Sequence, residues 1–266
     1  MEGCGTTNGA PYDETFVPAY TRWDIVVLMP NGVTFFYNNS TAPGTAYVEA
    51  PGRSYTLTGL HPSWTTIRYC GNNNLLFYDV NNLVAATGRI GSDGAVAFLN
   101  TYGGLPYGDI VTCSADGGVL YYRVGSGSGA FGWVDYAGSL HNEGFNYHVG
   151  SYATYYTDLV PVGGPHIVMY KRSTGEAELI QVYANGNYNS WGPMHNFPAW
   201  GWNVVGCPKS GLVMMNAWGG ASMEVTMVPV FNRFFGLSLN YSTMSYWMYD
   251  RYSAYLERTP DLLACD

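Results

Sequence analysis

The stretch GDIVTCSADGGVLYYR, residues 108–123, decides the reading of this chain. A polar residue, Asp109, leads an apolar run. A Gly-rich turn follows, and a second apolar run ends in a charged residue, Arg123. Both runs are rich in β-branched and aromatic side chains, which suit a pleated, buried surface, and the glycines supply the turn. The stretch therefore reads as a hairpin of two buried strands. Four other segments repeat its first half: WDIVVL (23–28), TTIRYC (65–70), TDLVPV (157–162) and WNVVGC (202–207). Each leads into a second strand, namely TFFYN (34–38), LLFYD (75–79), IVMYK (167–171) and LVMMN (212–216).

The polar slots fall at Asp24, Thr66, Asp109, Asp158 and Asn203, a period of 42 to 49 residues. Third strands follow, as in ELIQV (178–182) and MEVTMV (223–228), and fourth strands, as in AVAFLNTY (95–102) and FNYHV (145–149). Four short strands per period predict an all-β chain folded as one β-propeller. Six blades are expected. GLSLN (236–240), YWMYD (246–250) and SAYLE (253–257) would form the sixth, and TFVPAY (15–20) would close the ring from the N-terminal side. Five blades are the alternative. Residues 1–14 and 259–266 are expected to be tails of this single domain, which spans 1–266.

Composition agrees with an all-β chain and narrows the partners. The 266 residues carry 24 tyrosines and 34 glycines but only 11 Lys and Arg, for a net charge of −8. Lysine occurs only at Lys171 and Lys209, and the cations are scattered, which argues against a nucleic-acid surface. No apolar run is long enough to span a bilayer. The opening Met-Glu-Gly-Cys-Gly lacks a basic region followed by an apolar stretch, so a cytoplasmic chain or a mature secreted one is expected. The secreted form is preferred on two grounds. Cys4 and Cys265 lie at opposite ends of a chain whose fold brings its ends together, and sequons begin at Asn38, Asn39 and Asn240. A Cys4–Cys265 disulfide and glycans at these asparagines are the corresponding expectations.

Blade topology puts the loops entering each first strand on the same face as the loops leaving each second strand. That face would carry Trp23, Trp64, Tyr107, Tyr156, Trp200 and Trp202, alternating with Asn38, Asp79, Arg123, Lys171 and Asn216. The aromatics are candidate ligand walls, although aromatics placed before inner strands also pack between blades. Asp24, Thr66, Asp109, Asp158 and Asn203 could gather carboxylates for a metal or a glycosidic bond. Capping of neighbouring loop N–H groups is the role preferred for them, because Asx and Thr interchange from blade to blade. Cys70, Cys113 and Cys207 each follow the slot by four residues and align with Leu28 and Val162, so they read as small buried core residues. No metal-ligand spacing, dinucleotide fingerprint, phosphate loop or nucleophile elbow occurs, and neither a metal nor a cofactor is expected.

The repeat architecture, which covers nearly the whole chain, resembles the propeller lectins, including the fucose-binding and tachylectin-like types. It also resembles lectin-like propellers recruited in fungi as hetero-Diels–Alderases. The lectins imply several equivalent sugar sites. The strand-ending residues here, Asn38, Asp79, Arg123, Lys171 and Asn216, differ in charge and cannot all hold one sugar in one way. The expectation is therefore one site on the channel axis for a small, partly apolar molecule, and an enzyme promoting a metal-free cyclisation. Arg123 and Lys171 would stabilise developing charge, with Trp23, Trp64, Tyr107, Tyr156, Trp202, Asp79 and Asn216 binding the ligand. A carbohydrate-binding lectin is the alternative.

Overall fold

Each predicted hairpin becomes the inner half of a four-stranded antiparallel sheet in a computed structural model of the chain. The structure describes residues 23–39, 44–143, 147–149, 156–194 and the strand backbones 202–207, 211–216, 221–230 and 233–243. The first sheet runs in the order β1 (Ile25–Leu28), β2 (Thr34–Asn38), β3 (Gly44–Ala50), β4 (Arg53–Leu60). The second holds β5 (Thr66–Tyr69), β6 (Asn74–Asp79), β7 (Val84–Ile90) and β8 (Val96–Tyr102). In the third, β9 (Ile110–Cys113), β10 (Gly118–Arg123) and β11 (Ser128–Val134) are followed by a broken fourth strand. Its two pieces, β12 (Leu140–Asn142) and β13 (Tyr147–His148), pair with opposite ends of β11.

The fourth sheet comprises β14 (Asp158–Pro161), β15 (His166–Lys171), β16 (Glu176–Val182) and β17 (Tyr188–Met194). The fifth comprises β18 (Trp202–Cys207), β19 (Gly211–Asn216), β20 (Ala221–Val230) and β21 (Arg233–Thr243). The first strands are neighbours in series, β1 beside β5, β5 beside β9, β9 beside β14 and β14 beside β18. They are thus the innermost strands, as the repeat predicted. The described residues contain no helix, so none there could cross a membrane.

Five sheets account for all the described strands. Residues 236–240, expected to open a sixth blade, lie instead within β21, the outermost strand of the fifth sheet. β20 pairs along its length with β21, Val230 opposite Arg233, so these residues complete one blade rather than start another. The other segments assigned to a sixth blade, 15–20, 246–250 and 253–257, lie outside the described residues, as do the two tails.

The second strands are apolar on both sides because both sides are covered. Successive residues of a strand point to opposite faces. Leu75 and Phe77 of β6 accordingly enter the core shared with the first sheet, whereas Leu76 and Tyr78 enter the core shared with the third. On β10, Val119 and Tyr121 face the second sheet, and Leu120 and Tyr122 face the fourth. Each such side chain is worth about 1.5–3 kcal/mol when fully buried.

In the first three sheets a tyrosine recurs at the end of the second strand and ties its sheet to the linker that leads into the next. Tyr37 Oη donates to the His61 carbonyl, and Tyr78 Oη donates to that of Pro106 at 2.8 Å. Tyr122 Oη accepts from the Tyr156 amide at 3.1 Å. Burial pushes the phenols of Tyr37 and Tyr78 up to about 12, so both remain neutral donors.

The third and fourth sheets lock through Ser114. Its hydroxyl donates to the Val182 carbonyl at 2.9 Å and accepts from Gly118 N at 2.9 Å. A Cβ on Gly118 would meet that same carbonyl oxygen at 2.2 Å, so the approach requires glycine.

Cys113, the last residue of β9, forms a disulfide with Cys70, the residue just after β5, and so joins the third sheet to the second with Cα atoms 5.0 Å apart. Both are buried, as expected of small core residues, and the disulfide joins them. The two are not at equivalent positions. Cys70 corresponds to Met29, Ser114 and Val162, which close the turn after each inner strand, and Cys113 lies one register step earlier. That odd offset turns their side chains toward each other across the sheet interface. Cys207 lies in β18, where only the backbone is described, and Cys4 and Cys265 lie outside the described residues.

Candidate functional site

The loops entering the inner strands share a backbone device. Asn39 N donates to Asp24 Oδ2 at 2.9 Å, Val80 N to Thr65 Oγ1 at 3.1 Å, Val124 N to Asp109 Oδ2 at 2.9 Å and Arg172 N to Thr157 Oγ1 at 3.0 Å. In all four the acceptor stands 15 residues before the donor. This is the capping role expected of the polar slot, with two members corrected: Thr65 and Thr157 hold it, not Thr66 and Asp158. Strand register explains the shift, because Thr66 and Asp158 pair with Tyr78 and Tyr170 as Ile25 pairs with Tyr37. They are the first strand residues rather than the caps. Asn203 lies in β18, whose side chains are outside the description.

Freed from capping, Thr66 and Asp158 line a cavity of about 200 Å3 together with Arg68, Asp109, Ile110, Val111, Thr157, Leu159 and Arg172. The lining comes from the entering ends of β5, β9 and β14 and from the start of the loop after β15. The cavity therefore lies among the inner strands of three consecutive sheets, on the face where a site was expected. Thr66, Ile110 and Asp158 hold equivalent register positions and present a hydroxyl, an alkyl group and a carboxylate. Asp158 is buried and paired with the Arg172 guanidinium, whose Nε lies 2.8 Å from Oδ2 and 3.1 Å from Oδ1 and whose Nη2 also contacts Oδ1. Arg68 Nη1 lies 3.3 Å from the Ile67 carbonyl.

An exposed ring stands beside the cavity wall. Tyr107, 41% exposed, donates from Oη to Asp109 Oδ1 at 2.6 Å, and that carboxylate raises its phenol above the ordinary value. Arg123 lies over the Tyr107 ring, 5.3 Å from its centroid, with Nε 3.4 Å from the Tyr107 carbonyl. Asp109 thus joins the expected pair Tyr107 and Arg123 to the cavity wall.

The remaining expected site residues stand elsewhere. Lys171 Nζ lies 3.3 Å from Glu176 Oε2 across its own hairpin loop, with its side chain 18% exposed, and does not line the cavity. Trp23, Trp64 and Tyr156 are buried, the first stacked on Tyr47 and tilted against Phe36, the second against Phe77, and the third donating to Glu178 Oε2 at 2.8 Å. Asp79 is fully buried. Its Oδ1 accepts from Asn81 N at 2.9 Å and Asn82 N at 3.2 Å, and its Oδ2 accepts from Asn82 Nδ2 at 2.7 Å and from Ser63 Oγ. Burial alone would raise this carboxyl, but the bonds from Ser63, Asn82 and Asn81 outweigh it and hold it below its ordinary value.

Asn38 is buried in β2, so its amide does not stand open to a glycan, whereas Asn39 is exposed. Asn216, Trp202 and Asn240 lie in strands described by backbone alone, and Trp200 lies outside the described residues. Arg68 and Arg172 were missed by the sequence reading. Arg172 stands one residue past the strand-ending position that was compared across blades, and Arg68 sits inside an inner strand read only as apolar.

No family model matches the chain, and no curated protein matches its sequence. Solved structures do resemble it. A protein of unknown function from Desulfotomaculum acetoxidans superposes with a TM-score of 0.54 at 11% identity, over 82% of this chain and 68% of its own. A Lactobacillus plantarum protein gives 0.52 at 12%, over 82% and 70%. The fold is that of a β-propeller. A putative 6-phosphogluconolactonase from Bacteroides uniformis also gives 0.52 at 12%, over 82% and 71%. At such identities the likeness concerns the fold alone.

Proposed function

We propose that this propeller binds and processes one small polar molecule per chain in the cavity among β5, β9 and β14. The observation that carries the reading is chemical asymmetry on a symmetric frame. Equivalent positions supply Thr66, Ile110 and Asp158, and two arginines, Arg68 and Arg172, join them from different sheets. A multivalent binder would repeat its ligand-contacting side chains. The cavity is smaller than the ~300–1,000 Å3 typical of ligand pockets, so it suits a compact molecule or one end of a longer one. Guanidinium groups favour a carboxylate, phosphate or carbonyl oxygen, and the threonine hydroxyls and carboxylates favour hydroxyl groups. A propeller neighbour bearing the name of a sugar-acid lactonase is consistent with such a molecule.

The reaction we infer is a cofactor-independent cyclisation, such as a hetero-Diels–Alder reaction. Arginine N–H groups would polarise the carbonyl partner and the cavity would orient it. Carbohydrate binding is the second reading, favoured by the exposed Tyr107 ring beside Asp109. The Cys70–Cys113 disulfide supports residence in an oxidising compartment, as in secretion.

The test is calorimetric titration with three panels: hydroxylated acids and their lactones, conjugated carbonyl compounds, and glycans. One ligand per chain, with affinity reduced at least tenfold by Arg68→Ala, is the expected result. Several glycans per chain, unaffected by that substitution, would return the protein to the lectins.

A further inference from the structure

A second polar cluster lies on the same face, in the linker between β4 and β5. Ser63 Oγ stands 2.7 Å from His61 Nδ1 and also contacts Oδ2 of the buried Asp79. A hydroxyl has one proton to give, so the two contacts cannot both be donated by Ser63. Asp79 is held as a carboxylate by its other donors, Asn81 N, Asn82 N and Asn82 Nδ2, and carries no proton of its own. The serine proton must therefore lie toward Asp79. Ser63 Oγ then accepts from His61, which fixes the imidazole proton on Nδ1. The Ser63 amide, 3.4 Å from Nδ1, is the more distant contact and yields to this arrangement.

The order of groups is carboxylate, hydroxyl, imidazole, so the serine is a relay and not an activated nucleophile, which would need the imidazole in the middle. Nε2 is left with its lone pair at the end of the chain, on an exposed residue. The His61 carbonyl accepts Tyr37 Oη, and the imidazole lies 5.4 Å from the Trp64 ring.

We propose that His61 Nε2 is a proton-accepting catalytic site, buttressed by Ser63 and Asp79, for a substrate with an acidic O–H or a C–H beside a carbonyl. In the step, the substrate X–H bond breaks, its electron pair stays on the substrate and the proton joins Nε2. The resulting imidazolium is balanced by the Asp79 carboxylate through Ser63. Return of the proton to the product restores the neutral ring. The proposal deepens the single-site reading, because His61 opens the segment that ends at Thr66 in the cavity wall, but its test does not depend on the cavity.

Nitrogen NMR of the full-length 15N-labelled protein at neutral pH reads the tautomer directly. His61 is expected with its proton on Nδ1, and Ser63→Ala is expected to abolish that preference. A proton on Nε2 in the parent, or a tautomer unchanged by Ser63→Ala, overturns the relay. Carbethoxylation by diethyl pyrocarbonate, located by mass spectrometry, tests the lone pair. His61 is expected to react at least severalfold faster than His141, whose Nε2 is bonded to Asp135 Oδ2 at 2.9 Å. Equal or slower reaction at His61 overturns the proposal. Either outcome stands apart from loss of binding at Arg68, which bears on the cavity alone.

Discussion

The second and fourth sheets share a backbone plan and differ in nearly every polar side chain placed on it. Both begin with a threonine, Thr65 or Thr157, whose hydroxyl accepts the amide 15 residues later. Both inner strands then open on a cavity-lining residue, Thr66 in one and Asp158 in the other. At the end of the second strand, one has Asp79, buried and saturated by four donors, and the other has Lys171, half-buried and ion-paired with Glu176. The frame is set by main-chain bonds that any small acceptor can close. That leaves the adjacent positions free to diverge, and divergence there builds the cavity that both sheets line and the His61 relay that stands beside the second alone.

The largest effect belongs to the element that crosses this frame between sheets. Cys70→Ser with Cys113→Ser should destabilise the protein by about 4 kcal/mol in the chain-entropy model for a 43-residue separation. Chemical denaturation measures it. The parent in reductant should fall to the variant's midpoint, and a parent insensitive to reductant would show that the bond does not staple the second sheet to the third.

Next come the paired positions themselves. Asp79→Asn removes a carboxylate that accepts four bonds and should cost roughly 2–3 kcal/mol, whereas Lys171→Ala, an ion pair near the surface, should cost at most about 1 kcal/mol. Because the Asp79 carboxyl lies below its ordinary value in the fold, its contribution is complete above the unfolded value of about 3.9 and is lost as pH falls below it. The thermal midpoint of the parent should therefore drop more steeply than that of Asp79→Asn as pH falls below about 4. Parallel curves would remove Asp79 from the account.

The smallest effects sharpen the register. Thr65→Ala and Thr157→Ala should each cost about 1 kcal/mol through a lost cap, with nearly equal values in the two sheets. Thr66→Ala should leave stability within about 0.5 kcal/mol. A larger loss at Thr66 than at Thr65 would restore the slot positions first expected from sequence.

That slot shows what sequence could and could not convey. Apolar period, turn glycines and repeat spacing located all five inner hairpins, because burial on both faces of the second strands β6, β10 and β15 writes an uninterrupted apolar run. Side-chain direction is invisible to such spacing. An alignment on the first polar residue placed Thr66 and Asp158 one step early, and it made Cys70 and Cys113 look equivalent when their odd offset is what lets them bond. A constant 15-residue interval from an Asp or Thr to the residue just past the second strand was present in the sequence of the first four sheets and would have corrected both. The burial of Trp64 and Tyr156 between neighbouring sheets, and of Trp23 against Phe36 and Tyr47 of its own sheet, had no local signature. Nor did the four donors on Asp79 or the pairing of Arg172 with Asp158, which depend on loops meeting in space.

The central claim is that asymmetry on this frame makes one site. Backbone NMR of the labelled protein, titrated with a fragment set of small hydroxylated carboxylic acids, lactones and monosaccharides, tests it most directly. Shifts should cluster on Thr66, Arg68, Asp109, Asp158 and Arg172 and saturate at one ligand per chain. Shifts spread over the corresponding positions of several sheets, saturating at several ligands per chain, would contradict it.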